Sequence, residues 1–395
     1  MKFSIITPTH NTKFLKELEE TILANTYTNW EWIILLNNGV KYEADDSRIK
    51  VYESNITNGF VGALKKEACS YCTGDVIVEV DHDDLLTDDC LYELSLAYKN
   101  PKVGFVYSDN AKLSDDFVPY SSFYGWEHYI YNYKGKDLFA MKSQPLYPAR
   151  LGYIWYAPDH VRSWRKNVYD MVGGHNENMD VLDDQDLIHK LYMVTEFYHI
   201  PKVLYIYRIT GDNTWLKKNE KIQNLTVEIF NTNITLLAER FAEKNKLMKI
   251  DLCGGFNKPQ GYLSVDKFNG DIIADLDEGI PLPDGSCGVV RAFDALEHIK
   301  DTQHIMKEIH RVLAVGGVLI SNTPSTDGRG AWQSPDHISF FNENSFWYWT
   351  RPELAQYIRN DKWLFREGAL YTWFPSEFHK QHNIPYVKAI LEKLA

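Results

Sequence analysis

Three acids and an imidazole follow one another at Asp81-His82-Asp83-Asp84, directly after the apolar run Val76-Ile77-Val78-Glu79-Val80. Carboxylates just past the carboxyl end of a strand lie where open α/β sheets take their ligands. Their chemistry would be to hold a divalent cation with hard oxygen ligands, the cation neutralising a diphosphate that bare acids would repel. The competing reading is a solvated acidic turn, with Asp83 or Asp84 capping a helix ahead of Leu85. A second acidic group, Leu182-Asp183-Asp184-Gln185-Asp186, opens a helical pattern through Leu187 and Tyr192, and a helix N-terminus stabilises carboxylates. A third set begins with Lys249-Ile250-Asp251-Leu252-Cys253-Gly254-Gly255, a strand ending in a small-residue turn, and continues with Gly261-Tyr262-Leu263-Ser264-Val265-Asp266. Glycine lets backbone approach a ligand closely, and an acid at the tip of the next strand can hold both hydroxyls of a ribose.

Stepping outward from these residues, short β-rich runs alternate with helical patterns: Phe3 to Thr7, Lys13 to Ala24, Trp30 to Leu36, Gly62 to Tyr71, then Val76 to Val80. That alternation predicts crossover units and a mostly parallel sheet. A less regular Tyr/Trp-rich middle (Phe117 to Tyr156) precedes the strand-like Val203 to Tyr207. Leu225, Ile229, Ile234, Leu237 and Phe241 then recur near helical spacing, which predicts a long amphipathic connecting helix. The β/α alternation resumes at Lys249 and runs to Asn322. The expected division is a first α/β domain over 1–215, a helix over 216–247, a second α/β domain over 248–365, and an extension over 366–395 that is aromatic, then helical, and without an assigned role.

Length and charge narrow the classes. A chain of 395 residues exceeds one ordinary core, since single cores stop growing near roughly 250–300 residues. With 42 Lys and Arg against 54 Asp and Glu, the net charge of −12 repels a phosphate backbone, so no nucleic-acid partner is expected and any phosphate must be met locally. The five cysteines are odd in number and scattered, which argues for reduced thiols, and Cys69-x-x-Cys72 reads as packing rather than a redox or zinc pair. No apolar run approaches the roughly 20 residues that span a bilayer. A cytoplasmic chain is expected, at most peripheral to a membrane.

Ser4-Ile5-Ile6-Thr7-Pro8-Thr9-His10-Asn11, Trp32 to Gly39, Asn58-Gly59 with Gly74-Asp75, and Asp81-His82-Asp83-Asp84 occur in an order that resembles the family 2 GT-A glycosyltransferases over roughly the first 215 residues. The resemblance implies a Rossmann-like nucleotide-diphospho-sugar fold and an Asp-x-Asp motif that binds Mn²⁺ or Mg²⁺ on the donor diphosphate. Pro8, Thr9 and Asn11 would line the nucleotide pocket, Asp81 would face the ribose or metal, and Asp83 would be the direct ligand. The chain departs from the family at Asn37-Asn38-Gly39-Val40, where Asp-Asp-Gly-Ser is usual, so the contact of Asn37 to the base would be an amide. It departs again at Ala63-Leu64-Lys65, where Ala-Arg-Asn is usual, so Lys65 or Lys66 would meet the diphosphate. Gly173-Gly174-His175 and Leu182-Asp183-Asp184-Gln185-Asp186-Leu187 resemble the segment whose carboxylate is the general base. That role falls to Asp184, with Asp183 as the alternative, and it suits a one-step inverting displacement. Arg208 would meet phosphate or form a structural ion pair. Trp155, Tyr156 and Trp164 would stack on sugar faces or pack in the core.

The glycine turn is followed by Asp275, Phe293-Asp294-Ala295-Leu296-Glu297-His298, Glu308 to Leu313 and Gly316-Gly317. This ordered set resembles the class I methyltransferases that use S-adenosylmethionine, over about 248–350. The resemblance implies that Asp251, Gly254 and Gly255 surround the methionine part, Asp266 binds the ribose, Asp275 reaches the adenine, and Asp294 joins the cofactor site. Glu297 and His298 would border the sulfonium, with His298, His337 or Asp336 as the base. Cys253 stands where the family usually has glycine.

Together these readings imply a bifunctional glycan-modifying enzyme with a UDP-, GDP- or dTDP-linked donor and a saccharide or lipid-linked glycan acceptor. Fusion would raise the local concentration of one product at the other site. Three other readings stay open at this point: a glycosyltransferase with a degenerate methyltransferase-like domain, a methyltransferase whose first domain only binds saccharide, and a non-enzymatic glycan-binding scaffold. Asp81, Asp83 and Asp184 together argue against decay, because idle buried acids cost stability.

Overall fold

A computed structural model describes residues 1–57, 59–114, 126–154, 156–211, 213–360 and 362–394. Asn58, Phe117 and Trp155, which belong to segments singled out above, lie outside the described residues. The chain divides into two compact units, 1–146 with 154–229, and 147–153 with 230–395.

In the first unit a mixed sheet contains β1 (Phe3–Thr9), β2 (Trp30–Leu36), β3 (Ile49–Glu53), β4 (Val76–Glu79), β5 (Leu85–Leu86), β6 (Val103–Leu113), β7 (His128–Tyr133), β8 (Lys136–Met141), β9 (Arg162–Arg165) and β10 (Glu196–Arg208). The order is β3-β2-β1-β4-β9-β6-β10-β5, with the β7-β8 hairpin on β6. Strands β1 to β4 pair with one another in parallel, whereas β9 runs antiparallel between β4 and β6. Parallel strands covered on both faces read as continuous apolar runs, and all seven residues of β2 are buried accordingly. Phe3, Ile5, Trp32, Ile34, Val76 and Val78 form the core with Leu15, Leu18 and Ile22 of the helix Leu15–Leu23.

Because β1, β2 and β4 are parallel, their carboxyl ends share one edge, and the order reverses between β1 and β4. Such a reversal opens a crevice outside the carboxyl ends. The antiparallel β9 brings its amino end to the same edge, with Arg162 opposite Glu79.

In the second unit β11 (Met248–Leu252), β12 (Leu263–Asp266), β13 (Ile272–Ile273), β14 (Cys287–Phe293), β15 (Leu313–Pro324), β16 (Phe365–Trp373) and β17 (Tyr386–Lys393) are ordered β13-β12-β11-β14-β15-β17-β16. All pairings are parallel except those of β17. The order reverses between β11 and β14, again at the carboxyl edge. The tail expected to become helical instead supplies β16 and β17, and only Glu377–Gln381 between them is helical. The aromatic and branched residues of these strands suit a pleated surface, and Val387, Ala389 and Leu391 enter the core.

The predicted connecting helix spans Asn219–Lys244. Ile222, Leu225 and Ile229 pack with Val181 and Leu182 in the first unit. Phe230, Ile234, Ala238 and Ala242, spaced four apart, pack with Val289, Val318 and Ile320 in the second.

Candidate active sites

The loops at the carboxyl edge of the first unit are locally braced. Thr9 donates its hydroxyl to the Asn11 carbonyl (2.7 Å) and accepts the Asn11 amide (3.0 Å), while the Asn37 amide donates to the Thr9 carbonyl (2.9 Å). Pro8 is half-buried and Asn11 exposed. Asn37 is buried, and its Oδ1 has no hydrogen-bond partner among the described residues. Asn38 and Gly39 adopt positive φ, turning the chain sharply after β2.

In the acidic loop the four positions take different roles. Asp84 is fully buried and accepts the Tyr205 hydroxyl (2.8 Å) and the Arg208 amide (2.6 Å), so it anchors the loop to β10. Arg208 donates from Nε to the Asp83 carbonyl (2.7 Å) and from Nη2 to Glu17 (2.6 Å), the structural half of the two roles expected for it. Asp81 and Asp83 are half-buried, and no hydrogen bond reaches either carboxylate among the described residues. Burial, reinforced by Glu79 and Asp83 and opposed by Lys65, pushes the Asp81 carboxyl up to about 7. Two carboxylates without protein donors, one of them crowded by neighbouring acids, fit a divalent ion whose remaining ligands are substrate phosphates.

Lys65 does not face a diphosphate. Its side chain is buried, with Nζ 2.7 Å from Glu79 Oε1 and 3.3 Å from Asp183 Oδ2. Burial disfavours the ammonium, but Asp183, Glu79, Asp184 and Asp81 hold it charged. The helix Val61–Ser70 carries Lys65 there because Gly62 lets it lie against the loop before Asp183: a Cβ at Gly62 would sit 2.1 Å from the Asn176 carbonyl oxygen. Lys66 pairs with Glu177 at the surface.

Asp183 and Asp184 open the helix Asp183–Val194. Asp183 is buried, pushed up to about 7 by that burial together with Asp184 and Glu79. Asp184 is more accessible, with a side chain 19% exposed, and accepts the Arg162 guanidinium. Although burial would raise it, Arg162 and Lys65 hold its carboxyl below the ordinary value. Lys65 and Arg162 thus join acids a hundred residues apart into one charge-compensated cluster.

Arg162, Glu79, His160 and His175 were not among the expected site residues. Arg162 is buried and fixed by the Pro158 (2.8 Å) and Tyr156 (3.2 Å) carbonyls. Its strand position gave no hint, and only its register opposite Glu79 reveals it. Trp164 belongs to the core, stacked between Phe105 and Tyr169, and so is not at a sugar face; Tyr156 stacks on Trp126. Cys69 and Cys72 are buried, free thiols.

In the second unit Asp251 is buried, and both its oxygens accept Arg291 Nη1 (2.8 and 2.7 Å). The carboxylate expected at the methionine part is therefore already paired. A Cβ at Gly254 would lie 2.3 Å from Asp251 Oδ2, which explains glycine there. Cys253 and Gly255 have positive φ, and burial pushes the Cys253 thiol up to about 12, keeping it neutral. Asp266 Oδ1 accepts the Phe268 (2.8 Å) and Asn269 (3.0 Å) amides, and Oδ2 faces the glycine turn, 3.8 Å from where a Gly255 side chain would begin. Asp275 pairs with Lys267 (2.6 Å), and Asp294 accepts the Tyr386 hydroxyl (2.8 Å). Asp266, Asp294 and the turn share one edge, a fit for a nucleoside cofactor, whereas Asp251 does not contribute a free acid. Glu297, His298 and His337 come together, the two imidazoles edge to face with centroids 5.1 Å apart. Asp336 is exposed and lies 3.5 Å from His298 Nδ1.

Residues 4–152 match the family model for Glycosyl transferase family 2, and residues 231–321 match that for a Methyltransferase domain. Among characterised proteins, the chain is 24% identical over 227 residues to a hyaluronan synthase of Pasteurella multocida, covering 54% of this chain and 21% of that protein. It is 23% identical over 263 residues to a chondroitin synthase of Escherichia coli, covering 63% of this chain and 35% of that one. The chain thus spans well under half the length of these relatives. Among solved structures, S. aureus TarS 1–349 with UDP-GlcNAc is 17% identical, covering 62% of this chain and 71% of that one with a TM-score of 0.45. Mannosyltransferase PcManGT from Pyrobaculum calidifontis with GDP-Man and Mn²⁺ is 16% identical, covering 63% and 65% with a TM-score of 0.39. No described helix is long and apolar enough to cross a membrane. In one chain, then, a family 2 glycosyl transferase domain is followed by a methyltransferase domain.

Proposed function

We propose that the first unit transfers a sugar from a nucleotide-sugar donor to a saccharide hydroxyl with inversion, and that the second methylates an oxygen of the same glycan with S-adenosylmethionine. The observation that carries the first half is that Lys65 joins Glu79, two residues before Asp81, to Asp183, next to Asp184, while Arg162 holds Asp184. Asp184, accessible and held ionised, accepts the proton of the acceptor hydroxyl as its oxygen attacks the sugar carbon. Arg162 fixes the carboxylate in place. Asn37, whose buried Oδ1 has no hydrogen-bond partner among the described residues, meets the base beside Thr9. Asp83 and Asp81 would hold Mn²⁺ or Mg²⁺, which supplies neutralising charge for the departing diphosphate. The similarity to two polysaccharide synthases supports a saccharide acceptor and a place in polysaccharide assembly. The free cysteines support a reducing, cytoplasmic location.

One observation favours a second reading for the other half. Arg291 occupies Asp251, so the methyltransferase-like unit would bind without transferring. Incubation of the full chain with UDP-, GDP- and dTDP-sugars, Mn²⁺, saccharide acceptors and methyl-labelled S-adenosylmethionine separates these. Sugar and methyl label on one product supports the bifunctional reading, sugar alone supports the second, and neither refutes both.

A further inference from the structure

Glu297 and His298 lie in the turn that follows β14, and His337 lies in the loop after the short helix Gly330–Gln333. One ligating atom from each side chain falls within 4.8 Å of the others. Glu297 is only 2% exposed, and its two oxygens are treated differently. Oε2 accepts the Thr323 hydroxyl, whereas Oε1 is buried without a hydrogen-bond partner among the described residues. A carboxylate oxygen in that state is destabilising unless something positive meets it.

The imidazoles are prepared to supply the complementary lone pairs. His298 gives its Nδ1 proton to the Asp336 carbonyl (3.2 Å), and His337 gives its Nδ1 proton to the Ala331 carbonyl (3.1 Å), since a carbonyl can only accept. In the neutral ring this tautomer leaves the lone pair on Nε2. Outer hydrogen bonds of this kind fix the tautomer and orientation of metal-binding histidines. The backbone also holds the loop in register, because the Glu297 carbonyl accepts the Ile338 (2.9 Å) and Ser339 (3.0 Å) amides.

We propose that Glu297 Oε1 and the Nε2 atoms of His298 and His337 form a site for a divalent first-row transition ion, with its remaining positions open to water or a substrate hydroxyl. Two imidazoles and one carboxylate suit Zn²⁺, Fe²⁺ or Co²⁺, whereas Mg²⁺ and Ca²⁺ favour all-oxygen sets. The site is separate from the carboxylate pair of the first unit. It also recasts His298 and His337 as ligands, since a lone pair committed to an ion cannot act as a base.

Co²⁺ is the probe, added to the metal-stripped full-length protein in an Asp83→Ala background that silences the oxygen-rich site. Equilibrium dialysis is expected to give one Co²⁺ per chain with a visible ligand-field band characteristic of nitrogen ligation. His298→Ala and His337→Ala, both at half-buried positions, should each weaken Co²⁺ binding at least about tenfold and shift the band. Glu297→Gln, which keeps the shape beside Thr323, should do the same, with circular dichroism checking that each variant is folded. No band in the parent protein, or the same band and affinity in folded His298→Ala and His337→Ala, overturns the site.

Discussion

Lys65 Nζ stands 3.3 Å from Asp183 Oδ2, and both side chains are shut away from water. The pair ties the helix Val61–Ser70 to the helix that presents Asp184, so Glu79 and Asp183 are held by one buried cation. Lys65→Met would strand Glu79 and Asp183 as buried charges. A loss of about 3–5 kcal/mol is expected from breaking a buried pair. Denaturant unfolding of the variant measures it, and an unchanged midpoint would contradict the assigned pairing.

Asp184→Asn is expected to keep donor affinity and lower sugar transfer by roughly 10²–10⁴, the usual contribution of a positioned base. Steady-state assays beside donor calorimetry distinguish a lost base from a disturbed pocket. Transfer at the parent rate would remove Asp184 from the chemistry.

Asp83→Ala should eliminate the part of donor affinity that depends on Mn²⁺ and leave S-adenosylmethionine binding as it was. Calorimetric titrations with and without Mn²⁺ report both. If Mn²⁺ strengthens donor binding equally in the variant, the cation is held elsewhere.

Asp266→Ala should weaken S-adenosylmethionine by about tenfold or more, since a hydrogen bond to a charged group is worth about 1.5–3 kcal/mol. Gly254→Ala is expected to weaken it as well, because the new methyl group must displace Asp251 from Arg291. Unaltered affinity in both variants would move the cofactor away from the glycine turn.

His310, in the helix Thr302–Val312, is pushed down to about 4 by burial and by Lys393. The unfolded chain takes up that proton near its ordinary value of 6.5, while the folded chain refuses it until about 4. Its contribution to stability is therefore complete above 6.5 and is lost as the pH falls toward 4. His310→Gln should flatten this part of the pH–stability curve, as followed by thermal melts across that range.

Much of both sheets was legible because parallel strands announce themselves locally. Buried runs such as Trp30–Leu36 and Val76–Glu79, alternating with helical spacing, imply crossovers, and crossovers place the acidic strand ends on one edge. The helix Asn219–Lys244 was equally visible from its period. Strands β16 and β17 were misread because β17 takes its identity from the edge of β15 and β16 from the edge of β17, and neither edge is present in any local window.

The amino-acid order alone determined which acids stand at the strand ends, since that needs only local pattern and the geometry of a crossover. Which charges neutralise one another was decided by tertiary structure. Lys65 meets Glu79 and Asp183, Arg162 meets Asp184, and Arg291 meets Asp251 through strand register and helix packing across separations from 14 to over 100 residues. A buried charge takes whatever partner the fold brings within a few ångströms, and no spacing along the chain encodes that distance.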